Sequence, residues 1–207
     1  VAAEIAQVDE MNAPLDNAIV AAELTEIASN DELRNYSING GGAVFRTYCS
    51  QCHGAGAAGA KGYPNLLDDD WLWGGDVEAI YPSIAHGIRS DIDDDTRYSE
   101  MPAFADILSD QEITDVAAYV GALAGGVSAD HPGAEIFADN CISCHGEAGE
   151  GMRDQGAPNL ADAIWLYGGD PETIEASVRY SRYGQMPPWT GRLTEAEIRQ
   201  VAVYVHG

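Results

Sequence analysis

Basic residues are scarce in this chain: ten Lys and Arg stand against 34 Asp and Glu in 207 residues, a net charge of −24. Nucleic acid is excluded as a partner, because binding phosphate needs a positive footprint. The deficit is spread along the chain, with −6 over residues 1–48, −11 over 49–126 and −7 over 127–207. Solubility alone or a saline habitat would account for such a charge; the functional alternative is electrostatic steering of a basic partner. Long hydrophobic runs are missing too. The longest mostly apolar stretch, residues 116–127, falls well short of the roughly 20 residues a membrane span requires. No signal peptide is visible and the chain begins at Val1 without Met, which gives the expectation of a product processed or cut from a longer precursor. Cysteine is limited to four residues, too few for a dense disulfide scaffold.

All four cysteines lie in two copies of one pentapeptide, Cys-x-x-Cys-His: Cys49, Cys52 and His53, then Cys141, Cys144 and His145. This spacing is the attachment site of a c-type haem. Two thiols three positions apart on a helical turn can add to the two vinyl groups on one edge of the ring. The histidine that follows then falls beneath the iron. Two motifs predict two covalent haems c. The competing readings are a zinc site built from all four cysteines, a redox CxxC or two disulfides. Against them, each pair runs straight into His, and a disulfide inside one CxxC would constrain almost nothing.

The surroundings of the motif also repeat. PNL at 64–66 returns at 158–160, and WLWGGD at 71–76 returns as WLYGGD at 165–170. MP at 101–102 returns at 186–187, and LSDQEITDVAAYV at 108–120 returns as LTEAEIRQVAVYV at 193–205. The offset falls from 94 to 85 between the GGD segments and MP, so the first copy carries nine extra residues there, within SDIDDDTRYSE at 90–100. The pattern predicts a mostly helical protein of two duplicated domains, at 37–126 and 127–207, behind a lead-in at 1–36 that packs on one of them. A helix is expected at about 17–34, after Pro14. Others are expected from Asp76 and Asp170, and capping boxes Ser109/Glu112 and Thr194/Glu197 open the last helix of each copy. Ile113, Val116, Ala117 and Val120, matched by Ile198, Val201, Ala202 and Val205, follow helical spacing as core. Phe45 is expected to pack on Tyr119, and Phe137 on Tyr204, where the first and last helices of each copy cross.

Met101 and Met186, each followed by Pro in matching loops, are the expected second axial ligands, paired as His53/Met101 and His145/Met186. A thioether opposite imidazole favours the reduced iron and suits electron transfer. It also argues against a peroxidase or gas sensor, which need an open sixth position. His86, where the second copy has Tyr180, competes as a ligand of the first iron. Trp71 and Trp165 are expected as haem-pocket walls. The acidic insertion, with Asp91, Asp93, Asp94 and Asp95, is a candidate docking rim beside Met101. Covalent haem attachment takes place outside the bacterial cytoplasm, which predicts a periplasmic location.

Taken together, CxxCHG, PNL, DDDWLWGGD, HGIR and RYSEMPAF, then CxxCHG, GAPNL, WLYGGD and QMPPW, resemble the dihaem cytochrome c subunit (subunit III) of cbb3-type cytochrome c oxidases over residues 40–207. The resemblance implies an all-α fold of two tandem class I cytochrome c domains, with Cys49, Cys52, His53 and Met101 around one haem and Cys141, Cys144, His145 and Met186 around the other. It implies a subunit that carries electrons from a periplasmic cytochrome c toward a monohaem cytochrome c subunit and an oxygen-reducing haem–copper subunit. It is not catalytic by itself. Members of the family carry an N-terminal membrane helix, so the chain is expected to be the periplasmic part of an inner-membrane subunit that lacks its anchor. A free periplasmic dihaem cytochrome shuttling between complexes is the alternative.

Overall fold

Side chains that accept backbone N–H groups set many of the helix starts. The computed structural model describes residues 2–207. Its helices are α1 (Ala2–Ala21), α2 (Leu24–Ser29), α3 (Asp31–Val44), α4 (Ser50–His53), α5 (Val77–His86), α6 (Asp110–Ala122), α7 (Gly133–Asn140), α8 (Ile142–His145), α9 (Pro171–Tyr180) and α10 (Glu195–His206). A π-helical turn, Phe45–Cys49, joins α3 to α4. Asp76 caps α5 and Asp170 caps α9, each accepting from the N–H three residues on. Both expected capping boxes form, at Ser109/Glu112 and Thr194/Glu197. No strand forms among the described residues, and the fold is all-α as expected. No helix among them is long and apolar enough to cross a membrane.

The lead-in differs from the expected single helix at about 17–34. It is helical from Ala2, with Pro14 inside α1. Proline removes one ladder bond there, and the carbonyl it leaves belongs to exposed Glu10. The helix then breaks where polar side chains compete for the backbone. Glu23 and Glu26 form a capping box at α2, and Asn30 accepts from the N–H groups of Glu32 and Leu33 to start α3.

Packing divides the chain into two compact units whose limits cut across the repeats. The first holds the chain up to Ala57, Gly75–Arg97 and Met186–Gly207. The second holds Ala58–Gly74 and Tyr98–Gln185. The last helix of the first repeat, α6, therefore belongs to the second unit, and the last helix of the second repeat, α10, to the first. The expected Phe45–Tyr119 and Phe137–Tyr204 contacts are corrected accordingly. Phe45 packs on Tyr204, with ring centroids 5.6 Å apart, and Phe137 on Tyr119 at 5.3 Å. A short connection favours contact between consecutive elements. Residues 123–132 turn the chain from α6 directly into α7, and α6 packs on α7.

In the first unit α10 crosses α3 and α5 over buried Val44, Phe45, Val77, Ile80, Ile84, Ile198, Val201 and Ala202. The lead-in covers a further face of α10. Ile19 and Ile27 are fully buried, Gln200 donates to Asp16 at 2.9 Å, and Arg199 donates to the Ala22 carbonyl at 2.7 Å. This second contact explains why Val203 is buried while Val205, expected in the core stripe, is only half-buried. The second unit closes around Val116, Ala117, Val120, Phe137 and Ile174. Each fully buried phenylalanine stabilises its unit by about 2–3 kcal/mol.

Candidate haem-binding sites

Each Cys-x-x-Cys-His motif lies on a helical turn, and each belongs to a different unit. In the first unit Cys49 ends the π-helical turn, half-buried, while Cys52 is exposed on α4 and His53 closes it. In the second unit Cys141 is half-buried before α8, Cys144 is exposed on it, and His145 ends it. In both, Gly54 or Gly146 follows with positive φ (80° and 81°) and turns the chain away from the histidine. All four thiols are free. Burial, reinforced by the neighbouring cysteine, pushes Cys49 and Cys141 up to about 11. A redox or zinc-binding CxxC does the opposite and stabilises thiolate. No cysteine takes part in a metal-capable cluster among the described residues. Each pair, with one thiol outward and one half-sheltered, fits thioether attachment better than a four-thiolate zinc centre.

His145 gives the most explicit ligand geometry. It is 7% exposed, and burial depresses its pKa, so the imidazole is neutral. Nδ1 stands 3.0 Å from the Pro158 carbonyl oxygen. A carbonyl only accepts, so Nδ1 carries the proton and Nε2 keeps its lone pair. This partner fixes tautomer and ring direction in the way metal-ligating histidines are held. It also gives the repeated PNL segment a role: Pro158 orients the histidine. The Gly151 N–H donates to the His145 carbonyl at 2.7 Å and closes the loop around it.

The structure pairs the methionine loops with the motifs in the opposite sense from the sequence order. Met186 lies in the unit of Cys49, Cys52 and His53, and Met101 in the unit of Cys141, Cys144 and His145. In the first unit the Met186 N–H and carbonyl exchange hydrogen bonds with Ile88, both 3.0 Å. Three residues on, the Trp189 N–H reaches the Ile84 and Ala85 carbonyls at the end of α5, and the Trp189 ring packs 5.5 Å from that of Tyr48, beside Cys49. In the second unit Ser181, just past α9, donates its hydroxyl to the Met101 carbonyl, and Phe104 buries itself nearby in the chain. Each compact unit thus holds one haem turn together with the methionine loop of the other repeat, His53 with Met186 and His145 with Met101, where sequence order had set His53 with Met101 and His145 with Met186.

Trp165 packs against the buried cluster of the second unit, as Cys141 and Leu160 do. Trp71 and the first haem motif fall in different units. His86 is engaged elsewhere: its Nδ1 stands 3.3 Å from both Asp93 carboxylate oxygens. The acidic insertion up to Arg97 belongs with Met186, not with Met101 as its sequence position suggested. Sequence reasoning missed Ser181 and Trp189. The Trp after QMPP was in view, but nothing in a linear motif says which helix its N–H will meet.

A helical protein with two haem-attachment turns, each sharing a compact unit with one methionine loop, defines a c-type cytochrome of two repeats. The family model for cytochrome c oxidase, cbb3-type, subunit III matches residues 37–120 and again 128–205. Among curated relatives, a cbb3-type cytochrome c oxidase subunit CcoP of Cereibacter sphaeroides is 58% identical over 96% of this chain and 70% of its own length. A CcoP of Rhodobacter capsulatus is 49% identical over 98% of the chain and 73% of its own length. A FixP of Sinorhizobium medicae is 47% identical over 91% and 66%. The chain belongs to the subunit III family of cbb3-type cytochrome c oxidases, and is an electron-transfer cytochrome c rather than the oxygen-reducing catalyst.

Proposed function

We propose that this chain carries two haems c, one on Cys49 and Cys52 and one on Cys141 and Cys144, and passes electrons between them on the periplasmic side of the inner membrane. The donor is a basic periplasmic cytochrome c. The acceptors are the monohaem and haem–copper subunits of a cbb3-type oxidase. His53 and His145 are the proximal ligands, and Met186 and Met101, in that order, the distal ones. A haem iron between imidazole and thioether supplies one-electron transfer at a raised potential. The protein does the rest. Pro158 holds the proton of His145 on Nδ1 and so presents Nε2. Ile88 and Ser181 fix the backbones of the two methionines. Trp165, packed like Cys141 against the buried cluster, keeps water from that side, and Trp71 lies in the same unit.

The observation that carries this reading is that each unit holds one complete set: two cysteines, a histidine and a methionine loop. The denatured holoprotein should weigh two haems more than the polypeptide, and both ferrous haems should refuse carbon monoxide. Cys49→Ser leaves one vinyl unreacted and shifts that haem's visible band, which tags it. On this background Met186→Ala should open the tagged haem to carbon monoxide, and Met101→Ala the untagged one. The reverse assignment would restore the pairing by sequence order and defeat the crosswise one.

A further inference from the structure

Two features distinguish the stretch at and after the end of α5 from its counterpart at α9: His86 in place of Tyr180, and the nine extra residues that follow it. In the structure they meet. Beyond α5 the segment 86–89 is bonded along both edges. On one edge Ile88 exchanges two backbone hydrogen bonds with Met186. On the other the Arg89 N–H donates to the Arg97 carbonyl at 2.8 Å and the Arg97 N–H to the Gly87 carbonyl at 3.4 Å. Residues 90–97 thus return as an outer strap on the segment that holds the methionine. Inside the strap the Ser90 N–H donates to the Thr96 hydroxyl at 3.1 Å, and the Asp95 N–H donates to the Asp93 carboxylate at 2.9 Å. Arg97 ties it to α5 by donating to the Ser83 hydroxyl at 3.0 Å. His86 and Asp93 clasp it across the middle, with side chains 31% and 17% exposed. Gly87 has φ +73°, and a Cβ there would run into the Met186 carbonyl, so the two chains lie as close as backbones can. The second unit has nothing of this kind in sequence after α9. There the Met101 carbonyl is met by the Ser181 side chain.

We propose that residues 90–97 brace the Met186 loop, and that His86 is a positioning residue for the methionine opposite His53 rather than a ligand. The proposal rests on the crosswise ligation above. A methionine–iron bond is weak enough that its strength depends on how firmly the protein holds the loop. Releasing the clasp makes Met186 easier to displace, while Met101, held without a strap, is unaffected.

The test uses the ferric holoprotein and exogenous imidazole, which displaces methionine with a visible spectral change. His86→Ala and Asp93→Ala should each raise imidazole affinity at one haem by about threefold to tenfold, the range a half-buried charge-assisted pair supplies. That haem should be the one Met186→Ala opens. His86→Asn, which keeps a donor near the position of Nδ1, should restore the wild-type value. Unchanged affinity in both alanine variants overturns the brace. So does an equal rise at both haems, which would mean general loosening, or a high-spin haem in His86→Ala, which would make His86 a ligand. The Cys49→Ser tag keeps the two readings apart. If the haem that Met186→Ala opens is the untagged one, the crosswise pairing falls. The brace still stands or falls on whether His86→Ala acts at that same haem.

Discussion

At the scale of single residues, the lead-in is held by a polar contact that has a signature in pH. Tyr36 donates its hydroxyl to Asp16 at 2.9 Å, and Gln200 on α10 donates to the same carboxylate oxygen. Burial first, then this bond and the nearby negative charge, push Tyr36 up to about 12. Tyr81 is raised to about 12 by burial and by its bonds to Glu195, on the same helix α10. Both phenols prefer to stay protonated in the folded state. Their contribution is complete below the ordinary tyrosine pKa of about 10 and is lost as pH rises from there through about 12. The first unit should therefore loosen over that window. The tyrosinate absorbance of these two groups should rise above the ordinary tyrosine pKa of about 10, toward about 12. Tyr36→Phe should remove part of the alkaline dependence. A loss of stability with the same pH profile in Tyr36→Phe as in the wild type would show that Asp16 does not hold the phenol.

At the scale of elements, the same joint is used twice. Gly41 on α3 lies against the Gln200 carbonyl and Tyr204 of α10, and Gly133 on α7 against the Asp115 carbonyl and Tyr119 of α6, so close that a Cβ at either site would overlap the opposing backbone. Gly133→Val should cost about 1–3 kcal/mol by overpacking, read as a lower denaturant midpoint of the second unit. Gly56→Ala, at a site with open space around it, should stay within about 0.5 kcal/mol of the wild type. Equal midpoints for the two variants would mean that the α6–α7 crossing is not a close one. This duplication also marks where the sequence stops being informative. The caps at Asp76, Ser109, Asp170 and Thr194, the core stripe of α6 and the haem turns are local patterns, and each was legible. The partner of each last helix was not. Tyr119 and Tyr204 offer the same chemistry to Phe45 and Phe137, so no residue type distinguishes packing within a repeat from exchange between repeats. The distribution of Met101 and Met186 between the two units follows from that one degeneracy, since each travels with the helix behind it. Val203 escaped notice for a related reason: its burial depends on a lead-in with no counterpart in the repeat.

At the scale of the molecule, charge governs encounter. The chain carries −24, and the most acidic stretch, residues 49–126, includes the insertion whose Asp91, Asp94 and Asp95 are exposed. The His86–Asp93 clasp uses one carboxylate of that loop for structure and leaves the others to solvent. An electron carrier needs brief contacts, so charge is better employed in bringing the donor close than in holding it. Screening shortens from about 30 Å at 0.01 M ionic strength to about 8 Å at physiological salt. The second-order rate of reduction by a basic cytochrome c should therefore fall by about tenfold or more over that interval. Asp91→Asn combined with Asp94→Asn should flatten the dependence, while reduction by a small neutral reductant should stay constant. The double variant leaves Asp93 and the Met186 loop in place, so its haem spectrum should match the wild type, and any change in rate belongs to encounter. A rate that ignores salt would remove the acidic surface from docking and leave it the single task of keeping the chain soluble.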